Sequence, residues 1–402
     1  MKQLFTHLLL SILTALLFSA FIYLEHYGLT NKLLNTILGI SAIALLLYIP
    51  KRAILFSGFF IGLLWFYWIG YSFKYQGVGY MTPIVTFGFG VLYLLFFSPL
   101  AFTDKPYIRA ILLFALSFVE PLGWNWMKLE LPFVNSYIGV YNYQFAALLL
   151  ALSLPALIQN KKFKTLPLLL LIAAFNYGYP TQNDAPLKIK LVQTEIKQED
   201  KWQRKNLYTT VEMIFNEIQN ATQEGYDLVV LPESVFPLFM NKNPLLLSEV
   251  LEASKQIDII AGSLLRENHL NYNVTYYFHN GKYKVAKKLI LVPFGEYIPL
   301  PSFMKKFVND TFFAGASDFV TAKHPTDFII KGVKFRNAVC YEATCQALYE
   351  GDVKYMIAIS NNAWFAPSIE PTLQKLLMQY YARKNGVSIY HSANYKGTGV
   401  IK

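Results

Sequence analysis

Several side chains of this 402-residue chain stand where an apolar run gives way to a turn, and their chemistries are complementary. Glu233 follows the run DLVVLP, within LPES at 231–234. Lys288 precedes LILVP, and Glu296 lies in the glycine-containing turn just after it, within KKLILVPFGEYIPL at 287–300. Cys340 ends the apolar stretch of AVCYE at 338–342, with Tyr341 and Glu342 next. Open α/β sheets carry their reacting groups at such strand ends. A deprotonated cysteine is the most potent side-chain nucleophile, and a glutamate can take its proton. A nearby lysine lowers the thiol pKa and stabilises an oxyanion. Glu233, Lys288 and Cys340 therefore read as the parts of a thiol enzyme. None of the six histidines (His7, His26, His269, His279, His324, His391) holds a comparable strand-end position, which disfavours a Cys–His arrangement.

The elements that position these residues begin at Leu187. KIKLVQ (188–193), DLVVLPES (227–234), IDIIAGSLL (257–265), KYMIAISN (354–361) and VSIYHSAN (387–394) read as strands. Residues 203–223, 244–256 and 370–386 read as helices. Asn280-Gly281 within 274–289, and Lys331-Gly332 within 328–342, mark two hairpins. This mixture of βα units and hairpins predicts an α/β layered sandwich rather than a doubly wound sheet.

Composition separates this region from what precedes it. Only 15% of the chain is charged and 54% is hydrophobic, against about 25% charged in soluble proteins. Positions 1–180 hold 11 basic and 4 acidic residues, leaving 25 and 21 for positions 181–402. Apolar stretches near the length of a membrane span recur at about 4–24, 33–50, 53–73, 84–103, 107–123, 138–158 and 165–180. The expected division is a polytopic α-helical membrane domain of about seven helices at 1–180 and an α/β domain at 187–402. Lys2, Lys51, Arg52, Lys105, Arg109, Lys161, Lys162 and Lys164 fall on one side of such a topology, against Lys32, Lys74 and Lys128 on the other. The more basic side stays in the cytoplasm, which delivers the second domain to the outer face. The loop PLGWNWMKLELPFVNSY (121–137) reads as an interfacial aromatic belt or a lipid-facing arm, with Glu120 at headgroup level. The surplus of four positive charges after position 180 gives no basic stripe, so no nucleic-acid partner is expected. Two cysteines make no disulfide framework, and CxxC, HExxH and zinc-spaced Cys/His clusters are absent, so neither metal nor cofactor is expected.

The Glu…Lys…Cys order, each at a strand end, resembles the nitrilase (carbon–nitrogen hydrolase) superfamily, which implies an αββα sandwich. Joined to a polytopic N-terminal domain, the chain is similar to the bacterial apolipoprotein N-acyltransferase family. LVPFGEYIPL with Lys288 eight residues before Glu296 is the most specific match; LPES, VCYE, SNNAWF (360–365) and LVQTEIKQEDKW (191–202) support it. The resemblance implies that Glu233 is the general base, Lys288 stabilises the tetrahedral intermediate and Cys340 is the nucleophile. It implies that Glu296 positions Lys288 or substrate, and that Tyr341 and Glu342 line the site. Trp202 matches a tryptophan of the family's substrate arm, and Trp364 takes a substrate or packing role.

The implied reaction moves an acyl chain from a phospholipid, through a Cys340 thioester, to the α-amino group of an apolipoprotein's diacylglyceryl-cysteine. Its partners are the phospholipid donor, the apolipoprotein acceptor and the bilayer, at the periplasmic face of a bacterial inner membrane. A membrane-tethered amidase of the same superfamily, hydrolysing a small amide, is the alternative. Three departures stand beside the match. No apolar run of spanning length follows position 300, where the family has an eighth span. The chain reaches GTGVIK where such domains continue through another strand pair, and Ala314 in FFAGASDF (312–319) stands where Pro is expected.

Overall fold

A computed structural model describes residues 2–293, 296 and 319–402, apart from the side chain of Gln76. Most of FGEYIPL, and Ala314 with its neighbours, lie outside the described residues. The chain divides into two compact units, Met1–Tyr179 and Pro180–Lys402.

The N-terminal unit is helical. Four helical stretches, Lys2–His26, Lys51–Tyr75, Gly79–Phe102 and Pro106–Gly123, are long and apolar enough to cross a membrane. Lys32–Tyr48 and Asn142–Ala156 are apolar but shorter. The last expected stretch, 165–180, is helical only over Leu166–Leu170 and Leu171–Ala174. The chain then extends, with Phe175 bridged to Ile138. Apolar composition marks these segments, whereas capping and prolines set their lengths. Asn31, for example, starts the second helix by accepting the Leu34 N–H at 3.0 Å. A Cβ at Gly62 would lie 2.5 Å from the Phe89 carbonyl, so that glycine lets two helices approach backbone to backbone.

Two sequence expectations change in this unit. Trp124, Trp126, Leu129, Leu131 and Phe133 of the 121–137 loop are buried inside it, rather than forming an interfacial belt or a lipid-facing arm. Trp126 packs on Trp68 at 5.2 Å and Trp124 on Phe66 at 5.9 Å, centroid to centroid. Aromatic surface finds more partners there than at an interface. Arg109, counted above as a loop charge, is also buried, and binds backbone carbonyls.

The C-terminal unit holds ten strands among the described residues: β1 (Ile189–Leu191), β2 (Leu228–Val230), β3 (Asp258–Glu267), β4 (Leu270–His279), β5 (Lys282–Lys287), β6 (Asp327–Ile330), β7 (Val333–Val339), β8 (Tyr355–Asn361), β9 (Ser388–Asn394) and β10 (Gly399–Ile401). They form two five-stranded sheets, β1-β2-β3-β4-β5 and β10-β9-β8-β7-β6. β1, β2 and β3 run parallel, as do β7, β8 and β9; the remaining pairs are antiparallel.

Side-chain alternation builds the layers. Leu228, Val230 and Ile260 face Phe335, Val339, Ile357 and Ile359 in the core between the sheets. Val229, Ile259 and Ala261 point the other way, onto Ile214, Ile218, Leu246 and Val250 of the helices Arg204–Gln223 and Pro244–Ala253. The helix Glu370–Asn385 lies on the β9–β10 side of the second sheet. The result is the expected αββα sandwich. Both expected hairpins turn on two residues with positive φ, Asn280-Gly281 and Lys331-Gly332. A third, Asn268-His269, joins β3 to β4 without a glycine.

Candidate active site

The sandwich brings the ends of β2, β5, β7 and β8 to one buried cluster of charge. Glu233 sits in the turn after β2, almost fully buried. Its Oε1 accepts from Asn273 Nδ2 at 2.7 Å and its Oε2 from the Asn361 N–H at 2.9 Å. The turn is tight because Gly262 of β3 lies directly beneath it. A Cβ there would come within 2.6 Å of Glu233 Cα and 2.4 Å of the Ser234 nitrogen.

Lys288 follows β5 and is 1% exposed. Its Nζ lies 2.7 Å from Glu296 Oε2, which also accepts the Val292 N–H at 2.9 Å. Asn273 reaches Glu296 Oε1 at 3.3 Å, so one amide links both carboxylates. Burial alone would pull the Lys288 pKa down. The charges of Glu296, Glu233, Cys340 and Glu342 outweigh it and hold Lys288 as an ammonium.

Cys340 opens a short 3-10 turn after β7 with φ of 55°, a left-handed conformation that non-glycine residues seldom adopt. Strain of this kind is concentrated at functional sites. Burial, then the charge of Glu233, pushes the thiol pKa well up, against the pull of Lys288. The resting sulfur is therefore a thiol, and its deprotonation is coupled to the neighbouring charges. Gln374 Nε2 lies 3.7 Å from the sulfur.

Glu342 stitches two of these segments together. Its Oε1 accepts the N–H groups of Leu289 and Ile290, the latter at 2.9 Å, and its Oε2 accepts that of Val339 at 2.7 Å. Burial pushes its pKa up to about 7, against the opposing effect of Lys288 and these backbone donors. Glu342 thus fixes the Lys288 segment to the strand that presents Cys340. Tyr341 is buried beside Cys340 in the chain.

The two tryptophans are placed differently. Trp364 is partly buried in the turn Asn362–Phe365 after β8. Trp202 is 45% exposed. Its neighbour Lys201 enters the cluster instead, with Nζ donating to the Glu233 carbonyl at 2.9 Å. Burial brings the Lys201 pKa down to about 8, opposed by Glu233 and Cys340.

Lys201, Asn273, Glu370 and Gln374 are the site residues that sequence reasoning missed. Only Lys201 had a signal, lying inside the quoted LVQTEIKQEDKW segment. His391, midway along β9, is buried between Ser360 Oγ and the Gly397 carbonyl, each at 2.8 Å. Burial lowers its pKa to about 4, so it stays neutral and structural. Among the described residues no group of three or more His, Cys, Asp or Glu side chains could hold a metal ion.

Comparison with known proteins covers both units. Residues 5–177 match the apolipoprotein N-acyltransferase integral membrane domain family, and residues 188–397 match the carbon-nitrogen hydrolase family. An apolipoprotein N-acyltransferase from Wolinella succinogenes is 43% identical over 389 residues, 96% of this chain and 94% of that one. One from Helicobacter hepaticus is 38% identical over 382 residues, 92% of this chain and 94% of its own. Among solved structures, a carbon-nitrogen hydrolase superfamily protein from Xanthomonas campestris is 15% identical, covering 52% of this chain and 76% of that one with a TM-score of 0.40.

Proposed function

This chain belongs to the apolipoprotein N-acyltransferase family, and from that premise we propose that Cys340 takes a fatty acyl chain from a membrane phospholipid and passes it to the α-amino group of an apolipoprotein's diacylglyceryl-cysteine. The observation that carries the reading is the buried cluster in which the charges of Glu233 and Lys288 both act on Cys340.

In the first half-reaction Glu233 removes the thiol proton as the sulfur attacks the ester carbonyl. Lys288, an ammonium held at 2.7 Å by Glu296, stabilises the oxyanion of the tetrahedral intermediate. Collapse breaks the ester C–O bond, Glu233 returns its proton to the departing alcohol, and a lysophospholipid leaves. In the second half, the amine attacks the thioester. The new C–N bond forms, the C–S bond breaks, and Glu233 relays the amine proton to the thiolate. This is covalent, two-step catalysis. Glu296 orients Lys288, Glu342 fixes the two backbone segments, and Tyr341 lines the site. Trp202 and Trp364 contact substrate.

We propose a division into a transmembrane domain at 1–180 and a nitrilase-like domain at 187–402, the latter on the periplasmic face of the inner membrane. The lipid nature of both substrates supports that placement. Similarity to curated acyltransferases across both units supports transfer over the amidase alternative.

Intact-mass measurement of the purified protein in phospholipid tests the mechanism. A fatty-acyl adduct is expected on the wild type and absent from Cys340→Ser. A wild type that never acquires the adduct would sink the reading.

A further inference from the structure

Four carboxylates surround the Cys340 cluster, and three have both oxygens supplied with hydrogen-bond donors. Glu233 has Asn273 and the Asn361 N–H. Glu296 has Asn273, Lys288 and the Val292 N–H. Glu342 has three backbone N–H groups. The fourth, Glu370, is 1% exposed, yet its Oε2 has no partner among the described residues. A buried acceptor without a donor is costly, and such a group calls for a specific explanation.

Its place on the helix supplies one. Glu370 is the first residue of the helix Glu370–Asn385, and Gln374, one turn on, lies 3.7 Å from the Cys340 sulfur. Residues four apart share a helix face, which puts Glu370 on the side that meets the nucleophile. Its charge state is felt by Cys340, and it feels that of Glu233. Burial and Glu233 favour its neutral form. A neutral acid still accepts through its carbonyl oxygen and adds no negative charge beside a thiolate.

A ligand can supply the missing donor, and the two substrates differ in this respect. The reacting ester of a phospholipid offers only acceptor oxygens at the point of attack. An entering primary amine brings N–H groups on the reacting atom itself.

We propose that Glu370 forms the subsite for the entering primary amine, its unpartnered oxygen accepting one N–H while the nitrogen lone pair faces the acyl group on Cys340. The inference rests on reading Cys340 as the acylated nucleophile. Glu233 takes the proton lost on attack and returns it to the sulfur, and Glu370 ends the step in the protonation state in which it began.

The test separates the half-reactions of the full chain in phospholipid vesicles. Adduct formation on Cys340 is followed by mass, then its consumption by a synthetic peptide bearing an N-terminal diacylglyceryl-cysteine. Glu370→Met, similar in volume but without an acceptor, is expected to slow transfer about 10-fold more than it slows adduct formation, as loss of one hydrogen bond to the amine requires. Glu370→Gln, whose amide oxygen still accepts, is expected to restore most of that loss. Adduct formation itself reports that each variant is folded. Equal slowing of both halves, or none, would overturn the amine subsite and leave the thioester reading intact. A wild type that forms no adduct would overturn both.

Discussion

Each unit buries cations, but they are held by different partners. In the N-terminal unit the Arg109 guanidinium donates to the carbonyls of Leu47, Ile49, Leu100 and Thr103 at 2.7–3.0 Å, with Asp104 at 3.5 Å on its rim. These are orphan carbonyls at and beyond helix ends, so the arginine works as a fixed cap. In the C-terminal unit Lys288 is held by the carboxylate of Glu296, within a cluster of further acids. A cation spent on backbone carbonyls has no donors left over for chemistry. One paired with ionisable groups stays charged in a site where protons move. The partner, more than the depth of burial, distinguishes a structural charge from a working one.

Lys288→Met is the strongest way to break this contrast. It removes the ammonium that faces the oxyanion in the proposed mechanism, and loss of such a donor lowers kcat by about 10²–10³-fold. Acyl-adduct formation in phospholipid measures it. The variant is expected to remain folded, because Met fills the lysine's volume. An active Lys288→Met enzyme would show that another group stabilises the intermediate.

Arg109→Met should behave in the opposite manner. Four carbonyls lose their donor, which costs about 3 kcal/mol of stability after relaxation. The thermal unfolding midpoint of the protein in detergent is expected to fall, while adduct formation per folded molecule stays unchanged. A variant of unaltered midpoint but impaired catalysis would remove Arg109 from the structural class.

The same contrast explains what could be read from the sequence. Glu233 and Cys340 were legible because each ends an apolar strand, and a strand's end is visible in one dimension; Lys288 was legible from the apolar run LILVP after it, which lies beyond β5 and forms no strand. A layered α/β sandwich followed from such runs, together with the turns at Asn280-Gly281 and Lys331-Gly332, and the αββα order from the family resemblance. Lys201 was not legible, since QEDKW reads as a solvated helical turn until the fold lays it against the Glu233 carbonyl. Glu370 reads as an ordinary acid at a helix N-terminus, where the dipole favours it. Asn273 is one polar residue within β4, a strand whose start at Leu270 was hidden because the Asn268-His269 turn lacks glycine. The three residues of β10 were too short a run to register. In the N-terminal unit, composition revealed apolar segments but not their ends. Nor could it separate an aromatic loop at an interface from one packed within, as Trp124 and Trp126 are.

Lys201 sharpens the comparison, because it sits in the buried Glu233–Lys288–Cys340 cluster yet binds a carbonyl, as Arg109 does. Its Nζ steadies the turn that carries Glu233, so Lys201→Met is expected to lower adduct formation about 10-fold through misplacement of the base. The pH dependence of stability gives a second signature. Burial brings its pKa from 10.5 in the unfolded chain to about 8 in the folded one. Below about pH 8 both states carry the proton, and burying that charge costs a constant amount. Between about 8 and 10.5 the unfolded chain binds a proton that the folded chain has lost, so this residue's contribution to stability rises with pH. The unfolding midpoint of the wild type relative to Lys201→Met should therefore climb across that window and be level below it. A flat difference would mean that Lys201 keeps its charge through the window. It would then stand with Lys288 as a permanently charged partner of the site's carboxylates.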